Sequence, residues 1–108
     1  MSFASNVQQW FSVEMGGSLH LPDGWYGRPY DNQHMLTAIN EAGSDLSITL
    51  DYHLILTFEG LQSVAPTSRE LVFGPFSKLR FEWMDAQDGR RRTKDYSGGE
   101  AKIVSAPG

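Results

Sequence analysis

One stretch of the chain decides its fold class, DLSITLDYHLILTF, residues 45–58. Large apolar residues recur at every second position on both sides of Asp51-Tyr52-His53, which is the period of a half-buried β-strand. A single strand of this length would span about 45 Å, too long for a domain of this size. The stretch is therefore predicted to be a β-hairpin.

The position of the turn follows from which residues must share a buried face. A two-residue loop, Asp51-Tyr52, would place Leu50 opposite His53 and would put Leu56 on the face of Ser47. A three-residue loop over residues 51–53 keeps the apolar residues paired. It predicts the register Leu50 with Leu54, Ile48 with Leu56, and Leu46 with Phe58. Since register follows the buried face, we expect the three-residue loop, although no glycine supplies a positive φ there.

The sequence around this hairpin repeats the strand-and-turn pattern. Further strands are predicted over residues 34–42, 70–73, 77–85, 90–96 and 100–105. In the first of these, alternation places Met35, Thr37 and Ile39 on one face and Leu36 and Ala38 on the other. Gly74-Pro75 is expected to end the strand over residues 70–73. Asp88-Gly89 and Gly98-Gly99 are expected to form hairpin turns.

Seven or eight short strands in an antiparallel meander predict one mainly β domain, residues 1–108. Its architecture is expected to be an antiparallel β-barrel or a two-layer β-sandwich. The predicted core consists of the inward positions of the most regular strands: Leu46, Ile48, Leu50, Leu54, Leu56, Phe58, Leu79, Phe81 and Trp83.

A short N-terminal helix is predicted to precede the strands. Ser5 is a favourable N-cap, and Gln8 completes a possible capping box. Val7, Trp10 and Phe11 then form one apolar stripe at helical spacing, which must face the sheet. Residues 7–15 also have strand-forming character, but the cap and the spacing favour a helix that ends at Gly16-Gly17.

Composition limits the class of protein. The chain has 108 residues, 40% of them hydrophobic and 20% charged, which is typical of a soluble globular domain. It has no cysteine, so disulfides, thiolate nucleophiles and cysteine-ligated zinc are excluded. No signal peptide or membrane span is predicted, and we expect a cytoplasmic protein, a monomer or a homodimer.

Charge argues against a nucleic-acid partner. The formal net charge is −4, whereas nucleic-acid-binding domains are basic. The only basic cluster, Arg90-Arg91-Arg92 with Lys94, is flanked by Asp88 and Asp95. We interpret it as the solvated tip of a hairpin.

The stretch LPDGWYGRPYDNQH, residues 21–34, carries the candidate functional residues. Its prolines and glycines exclude a regular helix or a central strand, and its aromatic content predicts an ordered loop packed on the scaffold. Aromatic faces stack on sugar rings or bases, while charged side chains beside them make directional hydrogen bonds. The predicted ligand-binding set is Trp25, Tyr26, Arg28, Tyr30, Asp31 and His34.

Three other interpretations of this loop remain. It has a purely structural role if Arg28 pairs with Asp23 or Asp31 while Trp25 fills the core. It serves an acid–base enzyme if Asp23 or Asp31 acts with His34. It is a protein-binding site if its rigid aromatics and arginine contact another chain. No cofactor is expected, and the histidines are not spaced as metal ligands.

The motif Leu-Pro-Asp-Gly-Trp-Tyr-Gly-Arg-Pro-Tyr-Asp-Asn, residues 21–32, resembles one found in a family of small uncharacterised bacterial proteins. In that family a similar strand-rich region follows the motif, so the resemblance covers most of the chain. It implies a bacterial cytoplasmic setting and assigns no catalytic residue, substrate or cofactor.

Overall fold

Hydrogen bonding arranges the strands in two separate antiparallel sheets. The computed structural model describes residues 2–26, 33–85 and 87–105. In spatial order, the first sheet contains β2 (Gly24–Trp25), β1 (Ser18–Leu21), β10 (Gly99–Val104), β7 (Glu70–Phe76) and β6 (Val64–Pro66). The second contains β3 (Leu36–Ala42), β4 (Asp45–Leu50), β5 (Leu54–Glu59), β8 (Lys78–Met84) and β9 (Arg91–Tyr96). Within the described residues, these sheets do not close into a barrel.

The hairpin formed by β4 and β5 has the predicted three-residue loop. Its register is Leu50 with Leu54, Ile48 with Leu56, and Leu46 with Phe58, as expected. The positive φ angles that the loop needs are adopted by Asp51 (+54°) and Tyr52 (+67°) instead of by a glycine. Aspartate tolerates this conformation, whereas tyrosine adopts it at a cost.

One apolar core joins the two sheets. Phe58 of β5 stacks on Phe73 of β7, with ring centroids 4.9 Å apart and an interplanar angle of 8°. The predicted core residues are buried, except that Trp83 is only partly covered. Sequence analysis missed buried residues from the first sheet: Leu19, Leu71, Phe73, Phe76 and Ile103.

The helix α1 (Phe3–Glu14) is present, but it begins earlier than predicted. Its N-cap is Ser2 and not Ser5, because the Ser2 hydroxyl accepts the Ser5 backbone N–H at 3.1 Å. Its apolar stripe packs into the core, as expected, through Val7, Trp10 and Phe11. No helix in the described part of the chain is long and apolar enough to cross a membrane.

Two predicted strand boundaries are wrong. Strand β7 continues through the cis Gly74–Pro75 bond to Phe76 instead of ending there. Proline has no N–H to donate, but the Pro75 carbonyl accepts the Gln62 N–H at 2.9 Å. Strand β3 begins at Leu36, and a register shift between Leu36 and Ala38 interrupts its alternation. Leu36 and Ile39, expected on opposite faces, therefore both pack against the core.

The predicted meander is interrupted at Gly98-Gly99, whereas the hairpin predicted at Asp88-Gly89 is present between β8 and β9. Gly98-Gly99 carries the chain from β9 in the second sheet to β10 in the first. Asp88-Gly89 lies in a wider loop, since strand pairing ends at Met84 and Arg91 and the Gly89 N–H donates to the Asp85 carbonyl. Strand β10 then pairs with β1 and β7, which are distant in sequence.

Candidate functional site

A tight hairpin at the edge of the first sheet positions the start of the 21–34 stretch. Pro22 and Asp23 form the turn between β1 and β2, with Leu21 paired to Gly24. The Tyr26 N–H donates to the Leu19 carbonyl at 2.9 Å. The backbone on both sides of Trp25 is thus fixed by main-chain hydrogen bonds.

The second sheet brings further aromatic side chains to the same place. Along β8, Phe81 and Trp83 share the inward face that the sequence predicted. On β9, Lys94 lies opposite Phe81, and Tyr96 lies opposite Leu79. Residues opposite one another in an antiparallel pair point to the same face, so Lys94 and Tyr96 extend the inward face at the sheet edge.

These elements enclose a cleft of about 240 Å³ between β2 and the β8–β9 pair. We call it the aromatic cleft, because five aromatic side chains line it: Trp25, Tyr26, Phe81, Trp83 and Tyr96. The Tyr26 ring meets Phe81 edge to face at 5.2 Å, and Phe81 stacks on Trp83 at 5.2 Å. Apart from the buried Phe81, these side chains are partly exposed.

A charged pair and a phenol form the polar rim of the aromatic cleft. Asp23 forms an ion pair with Lys94 and accepts the Tyr96 hydroxyl at 2.9 Å. The hydrogen bond from Lys94 holds the pKa of the Asp23 carboxyl below its usual value. Burial, followed by the hydrogen bond to Asp23, raises the pKa of the Tyr96 hydroxyl. The rim therefore presents an ionised carboxylate, an ammonium group and a neutral phenol.

His34 lies behind the cleft and pairs with Asp51, not with Asp23. Its Nδ1 is 2.6 Å from Asp51 Oδ2, and its ring centroid is 5.8 Å from that of Tyr26. Its Nε2 is buried and has no hydrogen-bond partner among the described residues. Of the two acid–base pairings predicted, that of Asp23 with His34 is not formed, because Asp23 contacts Lys94 and Tyr96 instead; the other involves Asp31, which lies outside the described residues.

The remaining predicted site residues, Arg28, Tyr30 and Asp31, lie outside the described residues, as does the central part of the loop expected to be ordered. Of the predicted set, the structure brings Trp25 and Tyr26 into one cleft and places His34 behind Tyr26. Sequence reasoning missed that Trp83, Lys94 and Tyr96 belong to the same site. The alternation of side chains along β9 could have predicted part of this, since Lys94 and Tyr96 lie on the same face of the strand.

The basic cluster of β9 is largely paired with acidic side chains. Arg91 lies 3.4 Å from Glu82, and Arg92 lies 3.0 Å from Asp85 and 2.7 Å from Asp88. These exposed ion pairs offset the positive charge that a nucleic-acid backbone would need. Arg91 and Arg92 are therefore paired with acidic side chains close to them in the fold.

Two other surface features were candidates for a site, one beside the aromatic cleft at Trp25 and one at the opposite edge of the second sheet, at β3. His20 contacts the Trp25 ring edge to face at 4.7 Å, and over the described ranges no three histidine or acidic side chains are grouped as metal ligands. A shallow apolar groove of about 370 Å³ runs between α1 and β3, with Met15 and Met35 exposed beside it. Among the described residues, the lining of the α1–β3 groove contains one aromatic side chain, Phe11, and no charged one.

Comparison with known proteins assigns no family. The chain matches no protein-family model, no curated protein and no solved structure. The resemblance carried by residues 21–32 stays a prediction.

Proposed function

We propose that this chain is a small-molecule-binding module, a two-layer β-sandwich that holds its ligand in the aromatic cleft. One observation carries the proposal: aromatic side chains from both sheets converge on one concavity with a polar rim. Ligand sites in proteins combine a mostly apolar lining with a few placed polar groups, and this cleft has both. The stacking of Phe58 on Phe73 supports the sandwich, because it packs one sheet face against the other.

The partial exposure of the cleft aromatics supports binding over a purely structural role. Aromatic side chains stabilise a fold most when they are fully buried. Trp83 follows two buried residues of the same strand face, Leu79 and Phe81, yet it remains partly exposed beside the cleft. A ligand that covers Trp83 would bury the apolar surface that the fold leaves in contact with water.

The electrostatics of the rim favour binding over acid–base catalysis. A general acid or base works best when its pKa is near the working pH. The pKa of Asp23 is lowered and that of Tyr96 is raised, so both pKa values lie farther from neutral pH than the ordinary values of these groups. The Nε2 of His34, the other candidate base, is buried.

A fragment screen on ¹⁵N-labelled protein tests this function. We expect bound fragments to shift the amide signals of residues 23–26, 81–83 and 94–96 and to leave those of α1 unchanged. Tyr96→Ala should weaken binding at least about tenfold, because it removes a ring and a rim hydroxyl. Tyr52→Ala is the matched control, since Tyr52 is 87% exposed and lies outside the cleft.

The proposal fails if no fragment binds, or if the fragments that bind shift signals of the α1–β3 groove and not those of the cleft. It also fails if Tyr96→Ala and Tyr52→Ala leave fragment affinity equally unchanged.

A further inference from the structure

We propose that the ligand of the aromatic cleft is a neutral sugar, bound through one ring. This inference rests on the proposed function and names the chemical class that the cleft recognises. A sugar ring has an apolar C–H face and a rim of hydroxyl groups that both donate and accept hydrogen bonds. The aromatic surface of Trp83 and Tyr96 is complementary to the C–H face of the sugar. The rim formed by Asp23 and Lys94 is complementary to its hydroxyl groups.

The polar rim matches hydroxyl groups. A carboxylate accepts hydrogen bonds and an ammonium group donates them, so Asp23 and Lys94 together can bind two hydroxyls of one ring. Hydrogen bonds to charged groups are stronger than those between neutral groups. Both side chains are about half exposed, at 48% for Asp23 and 53% for Lys94, so a ligand can reach them without unfolding the rim.

The charge balance of the rim favours a neutral ligand over a phosphate-bearing one. The ammonium group of Lys94 is already paired with Asp23, so these two groups provide no net positive charge. A phosphate placed in the cleft would be close to the Asp23 carboxylate, on a chain whose net charge is −4. A neutral sugar needs no net positive charge at the rim and is not repelled by the Asp23 carboxylate.

The size of the cleft favours a single ring. Its volume of about 240 Å³ is below the roughly 300–1,000 Å³ of pockets that enclose drug-sized ligands. Its aromatic lining comes from both sides of the opening, since Tyr26, directly after β2, meets Phe81 of β8 at 5.2 Å. This arrangement can hold the terminal ring of a longer sugar chain while the remainder projects into solvent.

The three tryptophans provide an internal test by NMR. Trp25 and Trp83 line the cleft, whereas Trp10 is buried on α1 and its indole N–H donates to the Thr67 carbonyl. The probes are glucose, galactose, mannose and N-acetylglucosamine, with AMP and indole as comparison ligands. We expect at least one sugar to shift the indole signals of Trp25 and Trp83 saturably at millimolar concentration and to leave that of Trp10 unchanged.

Variants and salt separate a sugar site from non-specific contact. Asp23→Asn should weaken sugar binding at least about tenfold, because it loses a charged acceptor. Met84→Ala, next to Trp83 but outside the cleft lining, should bind as the wild type does. Affinity for a neutral ligand should not change between low and high salt.

The outcomes distinguish this inference from the proposed function. If AMP or indole shifts the Trp25 and Trp83 signals while no sugar does, the sugar assignment is wrong and the binding module stands. If neither the sugars nor the comparison ligands nor any fragment shifts them, both proposals fail. Sugar shifts that Asp23→Asn leaves unchanged also overturn the role assigned to the rim.

Discussion

The His34 imidazole and the Asp51 carboxylate, 17 residues apart in sequence, meet at 2.6 Å between Nδ1 and Oδ2. The other carboxylate oxygen accepts the Met35 N–H at 3.0 Å. His34 is also bonded through its backbone to Gly17, directly before β1. One carboxylate at the tip of the β4–β5 hairpin therefore fixes the segment that leads from the 21–34 stretch into β3.

This relationship predicts that Asp51→Gly lowers the free energy of unfolding by about 1–3 kcal/mol. Glycine adopts the positive φ of Asp51 without strain, so the loss combines the missing carboxylate contacts with the greater backbone entropy of the unfolded chain. The substitution leaves the buried Nδ1 of His34 without its partner. Urea denaturation followed by circular dichroism measures the change, and an unaltered midpoint would show that the contact contributes nothing to stability.

For Tyr52, the residue next to Asp51, a substitution to glycine is predicted to raise the free energy of unfolding instead of lowering it. Tyr52 has a φ of +67° and an 87% exposed side chain, so it incurs the strain of the left-handed region with little packing in return. Tyr52→Gly should raise the free energy of unfolding by about 1 kcal/mol, while its N–H still donates to the Thr37 hydroxyl. The same denaturation experiment serves both variants, and a destabilised Tyr52→Gly protein would contradict the strain argument.

Local patterns predicted the parts of the fold that local physics determines. Alternation with a period of two fixed the face of each residue in the β4–β5 hairpin, and the buried face then fixed its register. Helical spacing likewise predicted that Val7, Trp10 and Phe11 lie on one face of α1, and that face is buried in the core.

The rest depends on contacts between distant segments, which a pattern of period two cannot encode. The paired glycines at 98–99 permit a tight turn, but the pairing of β10 with β1 takes the chain to the other sheet. Likewise, alternation along β8 predicts that Trp83 is a core residue. Its place in the aromatic cleft depends on the neighbouring strands β2 and β9, which the alternation does not reveal. The Asp51–His34 pair also joins a turn to a separate loop.

A second long-range contact stabilises the N-terminus of α1. The Glu41 carboxylate accepts the backbone N–H groups of Phe3 and Ala4 at 3.3 and 3.0 Å. These are donors that the first helical turn leaves without intrahelical partners, and a carboxylate also interacts favourably with the helix dipole there.

We therefore expect Glu41→Ala to lower the free energy of unfolding by about 0.5–2 kcal/mol, the range measured for helix caps. Glu59→Ala is a suitable control, because Glu59 is an exposed residue at the end of a strand of the same sheet. Equal stability of the two variants in thermal denaturation would show that Glu41 does not cap the helix.

The last prediction concerns the titration of Asp23 at the cleft rim. The hydrogen bond from Lys94 is the largest cause of the lowered pKa of Asp23, ahead of that from Tyr96. Lys94→Gln should therefore raise the pKa of Asp23 toward the ordinary aspartate value of about 3.9. A ¹³C NMR titration of the carboxyl carbon measures it, and Lys102→Gln is the control, because Lys102 pairs with Glu70 instead.

The sign of the accompanying stability change follows from linkage. A carboxyl whose pKa is lower in the folded protein stabilises it above the unfolded pKa, and this contribution disappears as pH falls through the folded pKa. Lys94→Gln should thus lose stability relative to the wild type above about pH 4, and the two proteins should converge at lower pH. Because the pair is about half exposed, added salt should shrink the difference at neutral pH. A pKa of Asp23 that is the same with and without Lys94 would mean that the ion pair does not form in solution, and the donor–acceptor rim proposed for the cleft would lose its basis.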